Sequence, residues 1–357
     1  MVQAITPDTR VNTTLVDVTI TGQDFQPGCS ASLHSPTFGT FALTVTNNCA
    51  VSTTILAQVP LDVPFGALPA DFYDLTITNP DSQWGTLDNA YTATNPFPTV
   101  TSMTPAVTSL DGTVMVTIVG NDFRSIGAPG GLRAEINGIP LAGVTYVGPT
   151  QLTATAPRDT LGIYTLIVTN PGPTDPSGSL ADAFTVYTYT TQVTCETGVV
   201  NCDNSKGEPD GQVAELDAGE VITMDLGTAG INNGSGYDMV FYEWPNGPGI
   251  RLDRIIIEIS DDGANWYTVF AWDGIAGGVS GTNIDTYATD WNGESDNETI
   301  PATDLYPGGL PLNTGIAIDI STAQPPLPHN GPFRWVAVYA PAGSGDPAQI
   351  DAIVRLN

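Results

Sequence analysis

The 357-residue sequence predicts an all-β protein, with two β-sandwiches in tandem followed by a larger C-terminal β-sandwich or jelly roll. Three observations predict this class. Much of the first half of the chain is repeated, apolar residues alternate along short segments, and no segment has a convincing helical period. We divide the chain into a first copy (residues 1–94), a second copy (95–190) and a C-terminal region (191–357). A proline-bearing linker after Ala93 is expected to be semi-rigid.

The repeat carries the strongest signal, because its parts keep their order and spacing. Three residues of the first copy, Pro7, Gly22 and Phe25, recur 98 positions later as Pro105, Gly120 and Phe123. Two more, Tyr73 and Asn79, recur 91 positions later as Tyr164 and Asn170. The offset is constant within each block, so the length difference between the copies lies in a loop. A tandem of this size predicts separate modules rather than one catalytic core.

Each copy has the pattern of short strands separated by turns. In residues 16–21 the apolar side chains fall at every second position, which is the period of a half-buried strand. Gly22 ends this strand where a sharp bend is needed, and Phe25 is predicted to fill the core. About seven such strands in about 90 residues are typical of an immunoglobulin-like sandwich.

The shared motifs resemble those of the IPT/TIG family of immunoglobulin-like domains. They are T-P near the start, V-T-I-x-G-x-x-F, A-x-x-P, Y-x-L-x-V-T-N-P and L-x-N-A-[FY]. The resemblance covers roughly residues 3–94 and 100–188. It implies an immunoglobulin-like fold for both copies and a spacer or recognition role, and it implies no chemistry.

After Tyr189 the sequence pattern changes to one that predicts longer loops, and five of the six tryptophans lie in this part of the chain. Strands are predicted at 221–226, 238–243, 254–260, 266–270, 315–320, 333–339 and 350–356. This part of the chain resembles the galactose-binding-like (discoidin-type) jelly rolls of bacterial surface proteins. The main basis is the motif E-[IV]-S-x-D-G-x-x-W at Glu258–Trp266, and residues 207–211, 236–243 and 350–353 add to it. Such folds serve both as glycan-binding modules and as structural domains.

Charge excludes several classes of partner. Thirty-eight acidic residues face nine basic ones, which gives a formal net charge of −29. Such a surface repels nucleic acid and anionic membranes, and no apolar segment is long enough to insert into a bilayer. Two readings remain open: a solvated acidic surface, or a surface that binds multivalent cations.

The four cysteines are predicted to form two local disulfides, Cys29–Cys49 and Cys195–Cys202. Their even number, the absence of a C-x-x-C motif and the lack of a histidine cluster favour disulfides over zinc. Disulfides favour an extracellular or cell-surface location. Because the sequence starts directly in the first copy without a signal peptide, it is expected to be a mature or excised piece of a larger secreted protein.

Two acidic segments are candidate calcium sites. Asp290, Asn292, Glu294 and Asp296 place oxygen-bearing side chains at every second position, and calcium takes six to eight oxygen ligands. A second acidic turn, with Asp203, Glu208 and Asp210, lies where related jelly rolls often hold a structural calcium. The alternative for both segments is a solvated acidic loop.

Three tryptophans are candidates for stacking on a sugar. Trp244, Trp272 and Trp291 are predicted to lie in or beside loops, near Gly, Asp and Asn residues, which suits an amphipathic contact residue. Trp266 and Trp335 lie in predicted strands and are expected to be core residues.

No catalytic motif is recognisable, and we expect no enzyme activity. The function that the sequence favours is structural or adhesive, as part of a cell-surface layer, appendage or filament that assembles by self-association. The alternative is a carbohydrate-binding accessory module from a secreted enzyme that acts on polysaccharides. Self-association and polysaccharide binding distinguish the two.

Overall fold

The computed structural model describes residues 1–60, 68–110, 112–273, 280–290, 296–306 and 314–356. These residues form β-strands and three short 3-10 helices, so the all-β prediction is confirmed. None of the described helices is long and apolar enough to cross a membrane. The chain forms two compact units. Unit 1 comprises Met1–Thr104, Met115–Ala156 and Tyr164–Ala183, and unit 2 comprises Pro105–Val114, Pro157–Ile163 and Phe184–Asn357.

The first copy is a two-sheet sandwich. Its strands are β1 (Val2–Thr6), β2 (Thr9–Val11), β3 (Val16–Gly22), β4 (Ser30–Ser35), β5 (Gly39–Ala42), β6 (Thr44–Val45), β7 (Thr54–Val59), β8 (Asp71–Thr78) and β9 (Trp84–Thr94). One sheet has the order β1-β3-β7-β6 and the other β2-β9-β8-β4-β5. The alternating apolar side chains of both sheets, such as Ile20, Ile55 and Leu75, are completely buried in one core.

The second copy repeats these strands in the same order. They are β10 (Thr99–Thr104), β11 (Val107–Ser109), β12 (Thr113–Asn121), β13 (Arg133–Ile136), β14 (Ile139–Pro140), β15 (Ala142–Gly148), β16 (Gln151–Pro157), β17 (Gly162–Thr169) and β18 (Ser177–Tyr189). One sheet has the order β10-β12-β16-β15, and β14, β13, β17 and β18 are neighbours in the other. Strand β11 pairs in parallel with β18, as β2 does with β9.

Each conserved glycine of the repeat lies against a phenylalanine that follows it. Phe25 is 5% exposed and Phe123 is completely buried, so both are core residues as predicted. An added Cβ would lie 2.5 Å from the Phe25 ring at Gly22 and 2.6 Å from the Phe123 ring at Gly120. Because no side chain fits there, glycine lets the phenylalanine ring pack directly on the strand backbone.

The asparagine of the T-N-P motif holds the same loop in both copies. In the first copy, Asn79 Oδ1 accepts a hydrogen bond from Gln26 N at 3.1 Å, and Asn79 Nδ2 donates to Asp24 O at 2.9 Å. In the second, Asn170 Oδ1 accepts from Arg124 N at 2.9 Å and Asn170 Nδ2 donates to Asp122 O at 2.8 Å. The loop partners differ by the offset of 98 seen in the sequence. Asn170 Nδ2 also donates to Pro96 O in the linker, at 2.9 Å.

A buried asparagine joins the two copies. Asn95 is 2% exposed, and its Nδ2 donates to Ile126 O at 2.9 Å and to Pro171 O at 2.7 Å. Its Oδ1 accepts from Asn12 Nδ2 at 3.1 Å. Buried amides that are paired in this way fix geometry, because breaking any one bond leaves a desolvated polar group. The linker is therefore held by both copies.

The C-terminal region forms a third sandwich, which lies within unit 2. Its strands are β19 (Gln192–Cys195), β20 (Ala214–Leu216), β21 (Val221–Asp225), β22 (Met239–Glu243), β23 (Gly249–Leu252), β24 (Ile255–Ser260), β25 (Tyr267–Trp272), β26 (Glu298–Pro301), β27 (Gly315–Ile318), β28 (Trp335–Tyr339) and β29 (Ala348–Arg355). The 3-10 helices are Cys202–Ser205, Asp285–Asp290 and Ile320–Thr322. One sheet has the order β19-β21-β28-β24-β25; in the other, β22 lies between β27 and β29.

Strand β22 is the centre of this region and is buried over its whole length. Met239 and Phe241 face the main core between the sheets, while Val240 and Tyr242 face a second apolar cluster. When both faces of a strand are buried, its sequence is a continuous run of apolar residues, as Met-Val-Phe-Tyr is here. The run ends at Glu243, a carboxylic acid that is only 1% exposed.

Candidate functional site

Both predicted disulfides are present. Cys29 and Cys49 are bonded with a Cα–Cα distance of 5.8 Å, and Cys195 and Cys202 with 6.0 Å. Each bridge closes a local loop, the first in unit 1 and the second in unit 2. Disulfides of this kind persist in oxidising compartments, which points to a secreted or surface protein.

A strongly exposed tryptophan in the first copy lies beside a small cavity. Trp84 begins β9, opposite Thr78 at the end of β8, and its side chain is 72% exposed. The cavity has a volume of about 110 Å³ and is lined by Trp84 together with Gln23, Asp24 and Gln83. An indole face next to amide and carboxylate groups offers a stacking surface and hydrogen-bond partners in one place.

Hydrogen bonds keep the floor of this cavity in place. Asn79, which also lines the cavity, uses its side chain on Gln26 N and Asp24 O. Gln83 N donates to Asp81 Oδ1 at 3.0 Å, which fixes the turn that presents Trp84. The side chains of Gln23 and Gln83 are exposed to solvent and can bind a ligand without disturbing this framework.

The three tryptophans named from the sequence have different outcomes. Trp244 directly follows β22 and is 45% exposed, so it is accessible to a ligand. Trp272 is the last residue of β25 and is 6% exposed; its side chain packs in the main core, so it is not an accessible stacking surface. Trp291 lies outside the described residues. Trp266 and Trp335 are half-buried.

Three aspartates from different parts of the C-terminal region converge. Asp253 is buried, Asp296 is half-buried and Asp346 is exposed, and one carboxylate oxygen from each lies within 4.8 Å of the others. Among the described residues, this is the group of acidic, histidine or cysteine side chains that is close enough to share a metal ion. Asp296 accepts hydrogen bonds from the backbone N–H groups of Arg254, at 3.2 Å, and of Gly345. We call these three residues the aspartate cluster.

Glu243 lies next to the aspartate cluster, against Asp253, and is not one of the carboxyl groups that are close enough to share an ion. Its Oε1 accepts a hydrogen bond from Asp253 N at 3.1 Å, while its buried Oε2 has no hydrogen-bond partner. Burial and the neighbouring charge of Asp253 raise the pKa of Glu243 well above its ordinary value. Burial, together with the charges of Asp346 and Asp296, raises the pKa of Asp253 to about 7. The geometry thus places two acidic groups, Glu243 and Asp253, where water solvates them poorly.

The calcium loop named from the sequence is only partly described. Asp296 belongs to the aspartate cluster, and Asn292 and Glu294 lie outside the described residues. Asp290 ends a 3-10 helix, and its side chain also lies outside what is described. Sequence reasoning found Asp296 but missed Glu243, Asp253 and Asp346, which are distant from it along the chain.

Asp203 and Asp210 of the second acidic turn interact with neighbouring residues of the same segment. Asp203 forms an ion pair with Lys206 at 2.8 Å, and Asp210 accepts from Gln212 N at 2.9 Å. The buried Asp351 accepts from the backbone N–H groups of Asp210, at 3.1 Å, and Gly211, at 2.9 Å. Burial raises the pKa of Asp351 to about 6. In the described residues, Asp203, Glu208 and Asp210 do not form a group that could share a metal ion.

The histidines have structural contacts. His34 Nδ1 is 3.0 Å from Thr40 Oγ1, and His329 Nε2 is 2.8 Å from Asp261 Oδ2. The His329 ring also stacks on Phe333 with a centroid distance of 5.0 Å. His34 and His329 belong to different compact units, and neither lies in the aspartate cluster.

Comparisons with known proteins identify one domain family. Residues 98–186 match the model of the IPT/TIG domain, as the motifs of the second copy predict. No curated protein sequence matches the chain.

Among solved structures, the chain is similar to the surface glycan-binding protein PbSGBP-B from Prevotella bryantii. The sequence identity is 11% and the TM-score is 0.36. The match covers 99% of this chain and 96% of that chain. It is also similar to Bacteroides ovatus SGBP-B of the mixed-linkage glucan utilization locus, in complex with a mixed-linkage heptasaccharide (13% identity, 93% and 72% covered, TM-score 0.20). The extracellular region of plexin A4 gives 11% identity, 71% and 20% covered, and a TM-score of 0.21.

Proposed function

We propose that this chain is a non-catalytic, extracellular carbohydrate-binding protein of the cell surface. The observation that carries the proposal is the exposed indole of Trp84 beside a cavity lined by Gln23, Asp24 and Gln83. Sugar rings are recognised by apolar stacking of their C–H faces and by hydrogen bonds to their hydroxyl groups, and both kinds of partner are present here. Trp244 is a second aromatic contact candidate, in the C-terminal region.

The net charge of −29 indicates what kind of carbohydrate is bound. A strongly acidic surface repels sulfated or uronic-acid polysaccharides at low and physiological ionic strength. The ligand class is therefore a neutral polysaccharide. The two disulfides agree with the extracellular location in which such a polymer is found.

In this proposal the two tandem copies serve as a spacer, which we call the arm. Hydrogen bonds of Asn95 and Asn170 hold the linker to the copies, so the arm is stiff at the linker, which we call the joint. We assign the first copy, like the second, to the IPT/TIG fold, with domains at 1–94 and 95–190. We assign residues 191–357 to a galactose-binding-like jelly roll.

Replacing Trp84 with alanine tests the proposal. We expect the full chain to bind at least one neutral polysaccharide in a panel that also contains acidic ones, and W84A to bind about 30-fold more weakly. This corresponds to the roughly 2 kcal/mol typical of an interface tryptophan. The melting temperature should not change, because an exposed side chain contributes little to stability. Affinity gel electrophoresis and titration calorimetry measure the binding.

The matched control is Phe97→Ala, which removes an aromatic ring that is 69% exposed in the linker. This variant should bind as the wild type does. If the wild type retains no neutral polysaccharide, the proposed function is wrong. If W84A keeps full affinity while Trp244→Ala loses it, binding belongs to the C-terminal region instead.

A structural role in a surface layer, appendage or filament is the second candidate, and the stiff joint between the copies favours it. A filament subunit must self-associate, whereas a carbohydrate-binding protein has no such requirement. We expect light scattering to give the monomer mass across concentration, with and without calcium. A mass that rises with concentration would favour the filament.

A further inference from the structure

The strongest unexplained feature of unit 2 is the aspartate cluster with Glu243. Four carboxyl groups come from the end of β22, the residue before Arg254, the segment before β26 and the loop before β29. Like charges this close destabilise the fold unless a proton or a cation lies among them. Acidic residues on an exposed surface avoid this cost by pointing into water, which Glu243 and Asp253 do not.

Glu243 points to a ligand independently of the cluster. It is 1% exposed, lies against Asp253, and has one oxygen with no hydrogen-bond partner. Buried carboxylate oxygens are almost always paired, because leaving one unpaired costs several kcal/mol. The apolar residues before it on β22, such as Phe241, fill the core without it. A cation held by the neighbouring aspartates would offset the charge of this buried acid.

We propose that Asp253, Asp296 and Asp346 bind one calcium ion beside the buried Glu243, and that this ion fixes the loops of the C-terminal region against the end of β22. Calcium–oxygen distances are about 2.4 Å, so two oxygens on one ion are at most about 4.8 Å apart. The oxygens of Asp253, Asp296 and Asp346 meet this limit. Three carboxylates offer up to six oxygens, and water can fill the remaining positions of the six to eight that calcium takes.

The contacts around the cluster leave lone pairs of its carboxylate oxygens available to an ion. Asp296 is oriented by Arg254 N and Gly345 N, and Asp346 Oδ1 accepts from Asn297 Nδ2 at 2.7 Å. Each carboxylate oxygen has a second lone pair, so these bonds orient the ligands as an outer shell does in metal sites. Arg254 Nη1 donates to Gly343 O at 3.2 Å.

Magnesium should bind more weakly than calcium. Its oxygen distances of about 2.1 Å limit the separation of two ligands to about 4.2 Å, in a strict octahedron. Side chains from three separate segments do not easily contract to that geometry. The ligand set thus differs from a contiguous loop: Asp296 is shared with the loop predicted from the sequence, and the other two ligands are distant in the chain.

Titration calorimetry of the full chain with CaCl₂, after removal of metal by EDTA and dialysis, tests this inference. We expect one saturable site with a Kd of about 10⁻⁴ M or below, and at least tenfold weaker binding of MgCl₂. Saturating calcium should raise the melting temperature of unit 2 by a few degrees, because the ion binds only the folded state.

Asp346→Asn is the decisive variant, because Asp346 is exposed and its replacement should not disturb folding. It should weaken calcium binding at least tenfold with an unchanged circular dichroism spectrum. Glu243→Gln, which keeps the volume of the buried side chain, should do the same. Asp203→Asn is the matched control in the other acidic turn and should bind as the wild type does.

Absence of saturable calcium binding by the wild type would overturn the inference. So would calcium binding that Asp346→Asn leaves unchanged, and loss of binding in Asp203→Asn alone would place the ion in the second acidic turn. These outcomes are distinct from those of the polysaccharide assay, because Trp84→Ala should bind calcium normally.

Discussion

Gly120→Ala is expected to lower the free energy of unfolding of the second copy by about 3 kcal/mol, at the upper end of the cost of overpacking a core. A Cβ at this position would overlap the Thr99 carbonyl oxygen and lie 2.6 Å from the Phe123 ring. Thr99 is paired with β12, so its backbone cannot move without breaking the ladder, and Phe123 is completely buried. Urea denaturation followed by circular dichroism measures the loss.

Gly148→Ala is the matched control within the same copy. A Cβ there meets no atom within 4 Å, and the backbone is not left-handed. It should be neutral or slightly stabilising, since alanine restricts the unfolded chain more than glycine does. Gly22→Ala should reproduce the loss in the first copy, because its Cβ would meet Met1 O and Phe25. Equal stabilities of G120A and G148A would contradict the packing argument.

Removing the Cys29–Cys49 bridge by the double substitution C29A/C49A is expected to destabilise the first copy by about 3 kcal/mol. The bridge spans 20 residues, and the chain-entropy model gives about this value for a loop of that length. Cys49 is completely buried and Cys29 nearly so, so lost packing adds to the effect. Thermal unfolding should show the transition of unit 1 shifted downward.

The second bridge provides the comparison. Cys195–Cys202 spans only 7 residues, so C195A/C202A should cost less, and the loss should appear in unit 2. If C29A/C49A unfolds as the wild type does, or if the short loop costs more than the long one, the chain-entropy account is wrong for this protein.

Where backbone periodicity and turn chemistry agree, the sequence is sufficient to predict the fold. Residues 16–21 alternate and end at a glycine, and β3 ends at Gly22. In the C-terminal region, apolar runs such as 254–260 coincide with strands to within two residues. The short β20, β23 and β26 were not predicted, because three- and four-residue segments derive their structure from pairing with distant partners rather than from local pattern.

The candidate sites were harder to predict, because they depend on side chains that are far apart in sequence. Trp84 was overlooked because it follows a turn in a copy whose other residues match a spacer pattern; Gln83-Trp84 after Asn79-Pro80 is the signal that could have found it. Trp272 was misjudged because nearby Asp and Gly suggest a loop, although the residue still belongs to β25. Glu243 and Asp253 resemble ordinary strand-end acids until their burial is known.

The side-chain amide of Asn170 holds both a loop of its own copy and the linker, so the order of the loop and the position of the linker depend on the same side chain. Its Nδ2 is shared between Asp122 O of its own copy and Pro96 O of the linker, while Asn79 of the first copy binds only its own loop among the described contacts. The linker can move away from the second copy only if this amide gives up its hydrogen bond to Pro96 O. The N–H group that is then left without this partner belongs to the side chain that holds the loop of the second copy, so bending of the linker carries a desolvation cost within that module.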